Sequence, residues 1–136
     1  MTTKILLRIA AALILLHNIG HTIGHSGWKN APEESNRRAI DAMTGNHFQF
    51  MGRESTYAQF YDGYGYAGTL TLLLVMILLW ILSANQSKLS KQLSLVTGLF
   101  LVSWAIMEYI YFFPLAAGMT ILAAVLTVWG SVKSAG

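Results

Sequence analysis

Hydrophobic positions in this chain fall into four long blocks separated by polar stretches. The first runs from Ile5 to Gly27, the second from Tyr61 to Leu82, the third from Leu93 to Phe113 and the fourth from Leu115 to Val132. Each is close to the ~20 residues that a helix needs to cross a bilayer. The runs TLTLLLVMILLWIL and LAAGMTILAAVLTVW hold no charge at all. The pattern predicts an all-α fold, an integral-membrane four-helix bundle forming one membrane domain over residues 1–136. In the first block only Ile9 to Leu16 is unbroken apolar sequence, and Lys4 and Arg8 precede it. A secretory leader begins in the same way. No small-x-small cleavage site follows, however, and the helical pattern continues, so the block reads as a retained span.

The polar stretch 28–60 predicts more than a linker. Pro32 can open a short helix, with Glu33 and Glu34 suited to its first turn. Ile40 and Met43 give that helix an apolar side, and Gly45-Asn46 would end it. Ser55 is placed to cap the second long helix, which would then start outside the bilayer and enter it near Tyr61. Phe48, Phe50 and Met51 are too apolar for a free loop and predict a lid over the outer mouth of the bundle. The other connections are short. SANQSKLSKQ is a polar turn, and Phe113-Pro114 leaves almost no loop, so the third and fourth helices form a tight hairpin with Pro114 at a helix start.

Composition sharpens this picture. The chain is 54% hydrophobic and 11% charged, against about 25% charged in a soluble domain. There is no cysteine, which excludes disulfides, thiolate metal sites and thiol chemistry. A net charge of +3 could suit nucleic acid, but the cations flank the apolar blocks instead of forming a stripe, and no nucleic-acid partner is expected. Lys4, Arg8, Lys88, Lys91 and Lys133 gather on one side with no carboxylate. On the other side Lys29, Arg37, Arg38 and Arg53 face Glu33, Glu34, Asp41, Glu54 and Asp62. The unbalanced side should be cytoplasmic. Both termini are then inside, the 28–60 loop is outside, and the expected location is a bacterial cytoplasmic (inner) membrane, crossed several times.

Chemistry concentrates in the run HNIGHTIGH, where His17, His21 and His25 recur every four residues. That spacing places them in a stripe along one side of a helix. Glu108 is the carboxylate well inside an apolar run, LFLVSWAIMEYIYFF. Alone in lipid it would be protonated or paired, and a histidine is its natural partner. Counted from the outer ends, His21 lies six residues from Gly27 and Glu108 five from Phe113. At about 1.5 Å per residue these are similar depths. Asp62 sits at the outer entrance of the second block, with Tyr66 one turn further in. The buried ionisable candidates therefore cluster in the outer half of the bundle, where intramembrane charge is costly and marks function.

Each feature has a plainer reading beside the functional one. The imidazoles suit a transition metal or haem, with His21 and His25 as an i, i+4 ligand pair joined by His17 or Glu108. His21 and Glu108 could instead act as catalytic acid and base. The plainer alternative is hydrogen bonding that holds helices in register. Gly20, Gly24 and Gly27 form a second stripe beside His17, which suits close approach of another helix or of a flat ligand. His17, Asp62, Tyr66, Gly20 and Gly24 are thus the candidate ligand-binding positions. DGYGYAG matches no nucleotide fingerprint and reads as an aromatic corner or a pocket wall. His47 reads as a surface residue, with a fourth ligand as the alternative.

At HNIGHTIGH, NHFQFMGRESTYAQFYDGYGYAG and the Glu108 segment, the chain resembles an uncharacterised family of small bacterial four-helix membrane proteins. The resemblance covers most of the chain and implies no activity, so it assigns no catalytic residue. By analogy of architecture alone the chain is also similar to DoxX-type and sterol-isomerase-type membrane proteins. Membrane diiron enzymes use histidines at the same spacing, in several boxes. With four histidines, this chain would need Glu108 and Asp62 to complete such a ligand set.

Three functions follow as expectations. The first is a membrane enzyme or redox protein acting on a lipophilic substrate through the His/Glu site. The second is a non-catalytic module for a lipid, quinone or other lipophilic small molecule. The third is a structural or partner protein, in which a homo-oligomer is compatible with the glycine stripe. Transport is disfavoured, because four helices without an inverted repeat leave little room for alternating access.

Overall fold

The computed structural model describes residues 1–85 and 87–133. Among them the chain order is α1 (Thr3–Ser26), α2 (Glu34–Gly45), β1 (His47–Phe50), β2 (Arg53–Thr56), α3 (Tyr57–Ala84), α4 (Lys88–Tyr111) and α5 (Pro114–Val132). Helices α1, α3, α4 and α5 are long and apolar enough to cross a membrane, which is consistent with a multi-pass membrane protein. The chain divides into two compact units: Met1–Asn18 with the residues from Thr71 on, and Ile19–Leu70.

The first unit carries the apolar core. On α1 the buried positions Leu7, Ala10, Ala11 and Ile14 recur at three- and four-residue steps, which is one face of a 3.6-residue helix. They meet Leu72, Val75, Leu79 and Leu82 of α3, Leu101 of α4, and Ala123 and Ala124 of α5. The opposite faces expose Leu74, Ile81, Val96, Ile106 and Val125. Helices apolar on both faces are what a lipid-facing bundle requires.

Helices α4 and α5 pack antiparallel across a two-residue break, and Pro114 is the first residue of α5, as expected. Small residues set their close approach. A Cβ on Gly98 would lie 2.6 Å from Val128 Cγ2. The Thr97 hydroxyl donates to the Leu93 carbonyl at 2.8 Å and the Thr127 hydroxyl to the Ala123 carbonyl at 2.7 Å. With their polarity satisfied inside their own helices, these threonines serve as small packing residues. Ser87 caps α4 by accepting the Ser90 N–H at 3.1 Å.

The second unit holds the C-terminal end of α1, α2, the hairpin and the start of α3. Helix α2 starts at Glu34, so Pro32 precedes it instead of occupying its first turn, and Asn46 ends it as the sequence suggests. The stretch read as a lid is a regular antiparallel β-hairpin, with His47 opposite Thr56 and Phe50 opposite Arg53. Its turn residues Met51 and Gly52 have φ of 49° and 82°, the left-handed pair that a type I′ turn requires. This hairpin is the departure from an all-α chain.

The cap of α3 is Thr56 and not Ser55. The Thr56 hydroxyl accepts the Gln59 N–H at 3.2 Å, and the Gln59 side chain accepts the Thr56 N–H at 3.0 Å. This reciprocal pair is a capping box. Helix α3 therefore begins at Tyr57, one residue later than a Ser55 cap would start it and one turn before Tyr61.

Candidate functional site

The face of α1 that buries Leu7, Ala10, Ala11 and Ile14 continues through His17, His21 and His25 at the same spacing. The helical period thus sets imidazoles where leucines and alanines sit further down. These histidines enter two separate polar arrangements, one in each unit.

In the first unit, His17 Nε2 lies 3.2 Å from Glu108 Oε1, and His17 Nδ1 lies 2.9 Å from Thr120 Oγ1. The Trp104 indole N–H donates to the same Glu108 oxygen at 2.7 Å. Trp104 and Glu108 are four residues apart on α4, so a single helix face presents both. His17, Glu108 and Thr120 are all buried, Thr120 completely at 0% exposure. Glu108 Oε2 is buried with no hydrogen-bond partner among the described residues.

The connectivity is carboxyl–imidazole–hydroxyl, the order that activates a nucleophile in hydrolases. Burial decides against that use of Thr120: at 0% exposure, its oxygen is reached by no substrate carbonyl in this arrangement. What the three groups can do is hold a proton. An N–H toward Glu108 leaves the other ring nitrogen to accept from Thr120, and the opposite tautomer reverses the second bond.

In the second unit, His21 Nε2 donates to the Gly65 carbonyl at 3.0 Å. Because a carbonyl only accepts, that nitrogen carries a proton. The rings of His21 and His25 lie nearly parallel, 8° apart in plane and 6.2 Å between centroids. Tyr66 meets His25 edge-on at 5.1 Å, and Tyr61 lies tilted at 5.7 Å. Asp62 accepts from the Trp28 indole at 2.7 Å and from the Lys29 ammonium at 2.8 Å. His25 Nε2 is 4.0 Å from the same carboxylate, too far for a hydrogen bond.

Two glycines of DGYGYAG make room for these rings. A Cβ on Gly65 would overlap the His25 imidazole, and one on Gly68 would lie 3.0 Å from His21 Nε2. The motif reads best as an aromatic corner, with glycine wherever an imidazole docks on α3. Gly20 and Gly24 differ: a Cβ on either meets nothing within 4 Å, so their stripe is open in this chain. His47 is exposed and pairs with Glu54 at 2.8 Å.

The ring nitrogens bear on the metal reading. Both nitrogens of His17 and Nε2 of His21 are engaged in hydrogen bonds. A metal ligand must instead bring a lone pair to within about 2.1 Å of a shared centre. Among the described residues no three His, Cys, Asp or Glu side chains gather as a metal-holding group. Depth counting had set Glu108 level with His21; the imidazole beside Glu108 is His17.

Trp104, Trp28, Lys29 and Thr120 join these arrangements without having been singled out in the sequence. The i, i+4 relation of Trp104 to Glu108 was legible. Nothing in the sequence marks Thr120, which is one of several small residues on α5. Comparison with protein-family models, with curated proteins and with solved structures finds no match to this chain.

Proposed function

We propose that this is a multi-pass membrane protein built around an intramembrane acid–base pair, His17 and Glu108, that exchanges a proton with a lipophilic partner. The observation that carries the reading is the Glu108 carboxyl, 4% exposed, with Oε1 between His17 and Trp104 and Oε2 without a hydrogen-bond partner among the described residues. An unsatisfied buried polar atom costs about 1–3 kcal/mol. A role limited to fixing helix register would be met at less cost by a neutral side chain. Keeping a titratable group there fits a site that gains and loses a proton. His17 is the proton partner, Trp104 stabilises charge on Oε1, and Thr120 orients the ring. In this reading the termini face the cytoplasm, and the His21, His25, Asp62 and Tyr66 set belongs to the outer side.

A structural reading stands beside it, favoured by the complete burial of Thr120: the three groups simply lock the helices. Infrared spectroscopy of the purified protein separates the two. The proton-exchange reading expects a carboxylic C=O band that responds to a change of bulk pH and vanishes in Glu108→Gln. A band indifferent to pH, with Glu108→Gln as heat-stable as the wild type, supports the lock and removes the acid–base function.

A further inference from the structure

A cleft of about 490 Å³ lies wholly within the second unit, between the β-hairpin and the first turns of α3. Its size falls in the range of small-ligand sites, about 300–1,000 Å³. On α3 its wall is the stripe Gln59, Phe60, Gly63, Tyr64 and Ala67, spaced as one helix face. The hairpin supplies Phe50 and Arg53, which are register partners. Aromatic rings thus line the cleft, and one guanidinium is among its lining groups. Gly63 leaves the floor open, since a Cβ there meets nothing within 4 Å.

Lys29 is paired with Asp62, Arg38 with Glu34 and His47 with Glu54. Among the described residues Arg53 has no carboxylate partner. A planar guanidinium binds phosphate or carboxylate through two parallel hydrogen bonds. Next to an apolar, aromatic wall, the complementary molecule has an anionic head and an aliphatic body.

We propose that this cleft binds an anionic phospholipid, with its phosphate on Arg53 and one acyl chain along Phe50, Phe60 and Tyr64. The site is independent of the His17–Glu108 pair. Arg53 provides the preference for a charged head, and the open floor at Gly63 provides the seat for the chain.

Native mass spectrometry tests this on the full chain, equilibrated with phosphatidylglycerol and phosphatidylcholine at equal mole fraction. The wild type should retain phosphatidylglycerol roughly tenfold over phosphatidylcholine, as expected for one charge-assisted contact. Arg53→Gln should abolish that preference, whereas Arg38→Gln, an exposed cation away from the cleft, should keep it. Gly63→Leu should fill the floor and lose both lipids. Its Cβ has room, so the fold is not at risk. Equal retention of the two lipids by the wild type overturns the proposal. So does a preference that survives Arg53→Gln, or added oleate displacing phosphatidylglycerol, which would make the ligand a free fatty acid.

Discussion

What a glycine is for can be read from what its missing methyl would strike. At Gly65 the methyl would fall on the His25 ring, and at Gly68 it would crowd His21. At Gly20 and Gly24 it would strike nothing in this chain. The sequence shows all four as equivalent interruptions of apolar helices, which is why the HNIGHTIGH glycines looked like the packing surface and DGYGYAG remained ambiguous. Only the facing residue distinguishes them. Gly65→Ala should therefore cost roughly 1–3 kcal/mol, the usual penalty for overpacking, because the displaced imidazole is held between Tyr61 and Tyr66. Gly20→Ala should cost nothing and gain up to about 1 kcal/mol of helix propensity. Chaotrope unfolding in detergent compares the two. Equal effects would mean that His25 does not dock on α3.

At the scale of elements, the long helices were legible because lipid demands uninterrupted apolar sequence, and nothing else in the chain imitates that. The hairpin was not. Its signal, the alternation in HFQF and the glycine at the second turn position, is four residues long and was outweighed by the neighbouring helical patterns. Met51 also occupies a left-handed turn position, at φ 49°, where asparagine or glycine would have announced the turn. The cap of α3 shifts by one residue for a related reason: Ser55 and Thr56 are both good caps, and only Thr56 has a glutamine three residues on. Since α3 spans 28 residues, about 42 Å of helix against a hydrocarbon core of about 30 Å, its first turns have no need of lipid and depend on that cap. Thr56→Ala should destabilise the helix start by about 1 kcal/mol. Hydrogen exchange would then accelerate at residues 57–60, leaving residues 72–82 unchanged. Acceleration spread evenly along α3 would show that the cap does not act locally.

For the whole molecule, the sequence made the polar residues visible but not their pairing. His17, His21 and His25 share a helix face, and periodicity alone presents them as one site. Their partners lie on other helices: Glu108 and Thr120 for His17, and the Gly65 carbonyl for His21. Assigning those partners requires the helix packing, which no spacing within α1 encodes. Orientation is an expectation of another kind, argued from the distribution of charge and not from helix packing. Five cations without a carboxylate flank one side of the four blocks, and a balanced loop occupies the other. The absence of cysteine makes the test direct, since each introduced thiol is the only one present. With a membrane-impermeant maleimide on intact cells, Asn36→Cys on α2 should label, whereas Asn85→Cys between α3 and α4 should label only after the membrane is permeabilised. Both positions are exposed in the fold, so failure to label reports sidedness and not burial. The opposite pattern would invert the expected topology, and the polar set of His21, His25 and Asp62 would then face the cytoplasm. Labelling of both positions in intact cells would mean that the positive-inside rule does not govern this chain.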